Sequence, residues 1–177
     1  MTSALAEPAS TRTAATNKLG VAAYTVTPLT YPKYSGSEAY RQEIHAGLQP
    51  LLEELTGEGV SVNPDALQKT LRQPAATVLL ARSQADDIVG LLIVTIISTP
   101  LGDEARLNCF VVHDSFRGKG VGKLLLQKAE DTARKANADI MEVICSPKRI
   151  GARDFLKKRG FEDRHDLFRR ILKKFLD

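Results

Sequence analysis

Seven consecutive residues, Arg117-Gly118-Lys119-Gly120-Val121-Gly122-Lys123, hold three glycines and three cations. They sit between an apolar run over residues 107–112 and an amphipathic pattern that continues to about Ala136. A strand that feeds a glycine-dense turn, which in turn opens a helix, is a geometry for binding phosphate. Glycine lets the backbone approach a ligand closely, and the unsatisfied N–H groups of the first helical turn point at it. Arg117, Lys119 and Lys123 add positive charge at the same place. The ligand this pattern suits is a phosphorylated cofactor.

Two common phosphate motifs are excluded by spacing. A Walker A loop needs a glycine where Arg117 stands and a magnesium-binding hydroxyl where Leu124 stands. The dinucleotide fingerprint Gly-x-Gly-x-x-Gly fits Gly118 and Gly120 but meets Lys123 at its third glycine. What remains is Arg-x-x-Gly-x-Gly, with Arg117, Gly120 and Gly122 at the fixed positions. A lead-in, Val111-Val112-His113-Asp114-Ser115-Phe116, precedes it, and about thirty residues later comes Ser146-Pro147-Lys148-Arg149-Ile150-Gly151-Ala152-Arg153-Asp154-Phe155-Leu156, running on to Gly160-Phe161. Together these segments resemble the two signature motifs of the GCN5-related N-acetyltransferase (GNAT) superfamily, specifically over residues 107–161 and more loosely over 77–172.

The resemblance implies an α+β domain with a mixed, mostly antiparallel sheet and helices on both faces. It implies acetyl-CoA as cosubstrate, no metal, and N-acetyl transfer to the primary amine of a small molecule or peptide. Its phosphates would lie on Gly118, Lys119, Gly120, Val121, Gly122 and Lys123, with Arg117 at the same cofactor site either bracing the turn or adding charge. Its pantetheine arm would pair with Phe110, Val111 and Val112 in a gap between two diverging strands, and Arg149 would contact the cofactor or brace the splayed strand. Two positions depart from the family. Where many members carry a glutamate on the strand before the turn, this chain has Asn108, which cannot act as a base but can orient an acceptor or a water. Glu104 is the nearest carboxylate on the same strand face by period-two counting. Where the family places a proton-donating tyrosine, this chain has Leu156. These losses motivate a second reading, a CoA-binding regulatory module or pseudoenzyme without efficient transfer. Tyr31, Tyr34 and Tyr40 fall where the family builds its acceptor pocket, with core packing as the alternative.

Composition sets the outer bounds. The chain has 177 residues and a formal net charge of +4, which suits a polyphosphate ligand better than a nucleic acid. The cations near the end, among them Arg164, Arg169, Arg170, Lys173 and Lys174, lack interleaved stacking aromatics and read as solvated charge. No apolar run is long enough to span a membrane. Residues 1–18, rich in Ala, Thr and Ser, read as a disordered tail, with a cytoplasmic domain over residues 19–177; a homodimer is compatible with this organisation. Cys109 and Cys145 read as small buried thiols within strands, and His45 as a satisfied, half-buried histidine on a helix.

The elements that must position the motif follow from periodicity. Residues 21–26 read as a strand ended by Pro28 and Pro32. A helix starts at Ser37, is expected to kink or split at Pro50, and ends at Gly57 and Gly59. Asn63-Pro64 opens a second helix through Leu71. Residues 76–82 and 88–99 form a hairpin, followed by a strand over 105–112, the helix after the glycine turn, a strand over 140–145, a helix over 150–159 and a final hairpin over 161–172.

Overall fold

β-branched and leucine-rich runs in the middle of the chain build the centre of a sheet, seen in a computed structural model that describes residues 13–16, 22–57 and 59–163. Six strands are hydrogen-bonded in sequence order: β1 (Thr13–Thr16), β2 (Ala22–Leu29), β3 (Ala76–Ser83), β4 (Ile88–Thr99), β5 (Gly102–Val112) and β6 (Ile140–Val143). The first five run antiparallel to their neighbours, and β6 joins β5 in parallel. The parallel pair is reached by a crossover through a long helix, as the geometry of parallel strands requires. By its contacts the chain divides into two compact units, Met1–Val143 and Ile144–Asp177.

Alternation along the strands sends successive side chains to opposite faces. On one face Val78 and Leu80 of β3, Leu91 of β4 and Val111 of β5 form a cluster with Ile44, Leu48 and Leu51. Those three lie on helix α2 (Glu38–Thr56), and Tyr34 of the short helix α1 (Tyr31–Ser35) joins them. On the reverse face Leu79, Ala81 and Leu92 are fully buried. There helix α4 (Val121–Lys135) brings Leu125 over Gly90. Helices therefore cover both faces, and each buried aliphatic side chain contributes about 1.5–3 kcal/mol. Two further helices complete the described chain, α3 (Pro64–Leu71) and α5 (Ile150–Lys157). No described helix is long and apolar enough to cross a membrane.

Cap chemistry places α2 and α3 as expected. The Ser37 side chain accepts from the Tyr40 N–H at 3.3 Å, and Asn63 Oδ1 accepts from the Ala66 N–H at 3.0 Å. Gly57 closes α2 at φ +110°, a conformation that suits glycine. Several expectations are corrected. Helix α2 runs unbroken through Pro50, because Ile44 and Leu48 before it and Leu51 after it are all anchored in the core; packing outweighs the one lost backbone bond. Pro28 lies within β2, opposite Leu79, rather than ending the strand. Among the described residues, β1 pairs with β2 as far as Val26, so a missing N–H at Pro28 removes no bond to Thr13–Thr16. Helix α1 was not expected; Pro32 sits in its first turn, where a missing donor costs nothing. Thr13–Thr16 belong to a strand, although they fall within the expected tail, because the β2 edge offers backbone partners that a lone segment lacks. β5 begins at Gly102, three residues early, and β6 ends at Val143, leaving Cys145 outside it. Phe161–Asp163 are not in a strand; the rest of the expected final hairpin and the basic residues from Arg164 onward lie outside the described residues.

Gly47 of α2 tests the packing. A Cβ there would lie 2.8 Å from Ile88 Cδ1 and 3.0 Å from Ile88 Cβ. Helix propensity alone favours Gly47→Ala by about 1 kcal/mol, whereas overpacking costs about 1–3 kcal/mol. We expect the clash to dominate, with Gly47→Ala lowering the urea midpoint; a raised midpoint would show that α2 can lift off Ile88 freely.

Candidate functional site

The glycine turn takes the form its composition predicts. After β5, a single 3-10 turn (Asp114–Phe116) leads through extended Arg117 into Gly118 at φ +73° and Gly120 at φ +88°. Both glycines occupy the left-handed region that side chains resist, and a Cβ on either would meet nothing within 4 Å. The space over the turn is therefore open. Gly120 is the N-cap of α4, and no side chain caps the first turn. Helices α1 and α5 also begin without a side-chain cap, but only α4 combines this with two left-handed glycines. Gly122 lies inside the helix, among the amides that face the opening. Lys119 and Lys123 are exposed, with the Lys119 ammonium 5.3 Å from the Phe116 ring centre. An anion seated here would meet backbone donors, the positive end of a helix of 15 residues and two exposed ammonium groups.

Arg117 is held rather than free. Its Nε donates to the Val112 carbonyl at 3.0 Å, and its Nη2 donates to Glu54 Oε2. Glu54, in the last turns of α2, also accepts from the Asp114 N–H at 3.1 Å. One guanidinium and one carboxylate thus tie the end of β5, the 3-10 turn and α2 together. Glu54, His113 and Asp114 bring ligand-type atoms within 4.8 Å of one another, but the Glu54 carboxylate is engaged by Arg117 and by backbone. The Asp114 carboxyl is held below its ordinary range, first by the Ser115 hydroxyl and then by the Ser115 N–H, with His113 and Arg117 adding to the effect. It is ionised throughout the neutral range. Glu54 was not singled out from the sequence. It lies 63 residues from Arg117, and no local spacing signals the pair.

β5 changes course next to the turn. Leu91 pairs with Val111 and Ile93 with Asn108, so Cys109 and Phe110 together oppose Leu92. Cys109 takes φ +51°, which marks this as a bulge. On the other edge the β6 ladder stops at Val143 opposite Leu107. Among the described residues, no strand flanks β5 on that side from Asn108 onward. Phe110, Val111 and Val112 thus follow the point where the two strands stop pairing, although the Val112 carbonyl is already occupied by Arg117. Asn108 is half-buried and donates through Nδ2 to Thr95 Oγ1 at 3.5 Å. Glu104 shares its face, as counted from the sequence, and pairs with Arg106 at 3.5 Å; Arg106 also reaches Glu142 at 3.3 Å. That pairing engages Glu104 in a surface cluster four residues along the strand from Asn108.

The tyrosines divide. Tyr34 is buried, and its hydroxyl lies 2.6 Å from His45 Nε2, which satisfies that histidine as expected; burial raises the Tyr34 pKa. Tyr31 accepts from Arg72 at 2.5 Å, and this contact lowers its pKa. Tyr40 lies under the Lys33 ammonium. A cleft of about 580 Å³ between α2 and the β3–β4 turn is lined by Glu43, Gly47, Asp87, His113 and Phe116, beside the glycine turn rather than at it. In the second unit Arg149 is the N-cap of α5, half-exposed, and Leu156 is buried. There Asp163 binds Arg153 and, at 3.3 Å, Lys157.

Both cysteines are free and half-buried rather than fully buried. Burial pushes the Cys109 thiol above its ordinary value, so little thiolate is present at neutral pH. Alkylation of Cys109 by iodoacetamide at pH 7.5 should run about tenfold or more slower in the folded chain than in urea. Equal rates would mean that the bulge opens readily.

Comparison with known proteins follows the same lines. The family model described as "Acetyltransferase (GNAT) family" matches residues 45–161. An uncharacterized N-acetyltransferase of Methanocaldococcus jannaschii is 35% identical over 60 residues, which is 34% of this chain; the match spans only 26% of that protein's length. Among solved structures, the fold matches glucosamine-6-phosphate N-acetyltransferase from Arabidopsis thaliana with a TM-score of 0.68 at 18% identity, covering 85% of this chain and 99% of that one. It matches an aminoglycoside acetyltransferase from an uncultured soil metagenomic sample, in complex with sisomicin, with a TM-score of 0.70 at 20% identity, covering 85% and 97%. A Trypanosoma brucei acetyltransferase gives 0.65 at 19%, covering 84% and 99%. At these identities the structural matches speak to fold alone, whereas the family model covers well over half of the sequence. With its glycine turn, its uncapped helix and its bulged strand in the places described, the chain belongs to the GNAT acetyltransferase family.

Proposed function

We propose that the chain is an acyl-CoA-dependent N-acetyltransferase that uses acetyl-CoA as donor and a primary amine of a small molecule or peptide as acceptor. The observation that carries this reading is the start of α4: two left-handed glycines, open space above them and first-turn amides with no side-chain cap. The diphosphate of the coenzyme suits that cradle, with Lys119 and Lys123 supplying charge and the pantetheine arm running beside β5 at residues 110–112. When bound, the thioester supplies the activated acetyl group. A cytoplasmic setting goes with this reading.

The chain's own residues would then do three things. The turn and β5 hold donor and acceptor together, and such proximity accounts for much of the rate. A backbone N–H of β5 near Val111 polarises the acyl carbonyl. Asn108 orients the amine or a water through its amide, since it has no basicity to offer. Glu104 is the carboxylate nearest in sequence on that face, but it is shared with Arg106 and Glu142, which suits a role in attracting a cationic acceptor better than one in accepting a proton. A thiol of ordinary pKa near 8.5 leaves readily as thiolate, so a leucine at position 156 is compatible with turnover.

A second reading, a CoA-binding module without efficient transfer, is favoured by the same two features: an amide at position 108 and a buried leucine at position 156. Calorimetric titration with CoA, followed by a thiol-release assay over a panel of amines, separates the two. Binding with turnover supports the enzyme, binding without turnover on any amine supports the module, and no binding removes both. Gly120→Val should weaken CoA binding by more than tenfold, because a β-branched residue at φ +88° costs about 1–2 kcal/mol and forces the turn to rearrange. Asn108→Ala should lower turnover by about tenfold or more, and unchanged turnover would remove Asn108 from the mechanism.

A further inference from the structure

We propose that Glu54 is a positioning residue of the cofactor site, and that Arg117 acts through it as a brace rather than as a phosphate ligand. The inference rests on the reading of the glycine turn as the CoA diphosphate site, and it adds a residue on α2 outside the signature motif.

The contacts carry it. The Arg117 side chain donates to protein at two points: Nε to the Val112 carbonyl at 3.0 Å, and Nη2 to Glu54. The other end of the same carboxylate takes the Asp114 N–H at 3.1 Å, and His113 Nδ1 lies 3.8 Å away. Four points are thereby fixed with respect to one another: the last residue of β5, the 3-10 turn, Arg117 itself and the C-terminal half of α2. Gly118 and Gly120 follow immediately. A glycine-rich segment has the largest backbone entropy to lose on ordering, so its shape depends on how firmly its entry is anchored. Glu54 is the less exposed partner, with its side chain 22% accessible against 58% for Arg117.

Charge alone predicts the opposite of what position predicts. Glu54 and Asp114 are carboxylates within a few residues of a site for an anion. If Glu54 mattered only through its charge, removing that charge would relieve repulsion and tighten CoA binding, by an amount that salt screens. If Glu54 sets the turn, removing it loosens the cradle and weakens binding. The two hypotheses therefore differ in sign, which a purely structural role for the ion pair would not determine.

The experiment is calorimetric titration of the full chain with CoA at one ionic strength, using wild type, Glu54→Gln, Arg117→Gln and the double variant. We expect each single change to raise Kd about three- to tenfold, in the range of a charge-assisted pair within a small network. The double variant should bind no worse than the weaker single one, because both changes break the same clamp. Equal or tighter binding by Glu54→Gln overturns the proposal, as does multiplication of the two effects, or a lowered melting temperature with unchanged Kd. Should Glu54→Gln not fold, Arg117→Lys decides. It keeps the charge but lacks the fork, so weakened binding supports the brace and wild-type affinity supports a phosphate ligand. If wild type itself shows no CoA binding, the cofactor reading falls first and this inference falls with it, which distinguishes that failure from the others.

Discussion

A helix leaves its first N–H groups without partners inside itself, and something outside must accept from them. Helices α2 and α3 solve this locally with Ser37 and Asn63. Helix α4 starts on a glycine instead, with a second left-handed glycine two residues earlier and open space where side chains would otherwise stand. The cost of that arrangement is borne by the rest of the molecule. Val121, Leu124, Leu125, Leu126, Ala129 and Ala133 bury the opposite face of α4 against the sheet, so the helix does not depend on a cap to stay formed. A helix secured by its apolar stripe can keep its N-terminus available to an anion.

The sheet contributes a second feature at the same end. Antiparallel pairing of β4 and β5 is regular up to the bulge at Cys109 and Phe110, and the β6 ladder on the other edge stops at Leu107. The two irregularities coincide within a few residues. Bulges re-aim strands and terminate pairing, and here one does so directly before the glycine turn. The apolar pattern on either side keeps the register: Leu107 packs toward α4 and Val111 toward α2, so the extra residue lets both faces stay filled. Arg117 then bonds back to the last carbonyl of β5, which connects the strand's end to the turn and, through Glu54, to the helix on the other face.

Much of this was legible in the residues. Ser37, Asn63-Pro64 and Gly57 marked helix ends because cap chemistry is local, needing only two or three neighbours. The runs over residues 76–99 announced a hairpin because period-two burial is written residue by residue. Residues 117–123 announced a left-handed glycine turn because tolerance of positive φ is a property of the residues themselves. The misreadings share a cause. Pro50 was expected to kink or split α2, and it does not split it, since three core side chains flank it; Pro28 was expected to end β2, and it does not, since among the described residues β1 pairs only as far as Val26. Proline's local cost is the same in each case, and what decides the outcome is the neighbour found only after folding. Thr13–Thr16 became a strand for the same reason: an edge was waiting to be paired.

From the amino acids alone came the glycine turn, the order of the elements, the two-sided sheet and the absence of a carboxylate at position 108. These are set by backbone preference and by the periodicity of burial, which act over a few residues. Tertiary structure alone decided that Arg117 is partnered by Glu54, that Glu104 is shared with Arg106 and Glu142, and that β5 bulges at Cys109. Each of these depends on atoms brought together across tens of residues, where the free energy of a contact is governed by the packing of the elements that carry it and leaves no trace in local spacing.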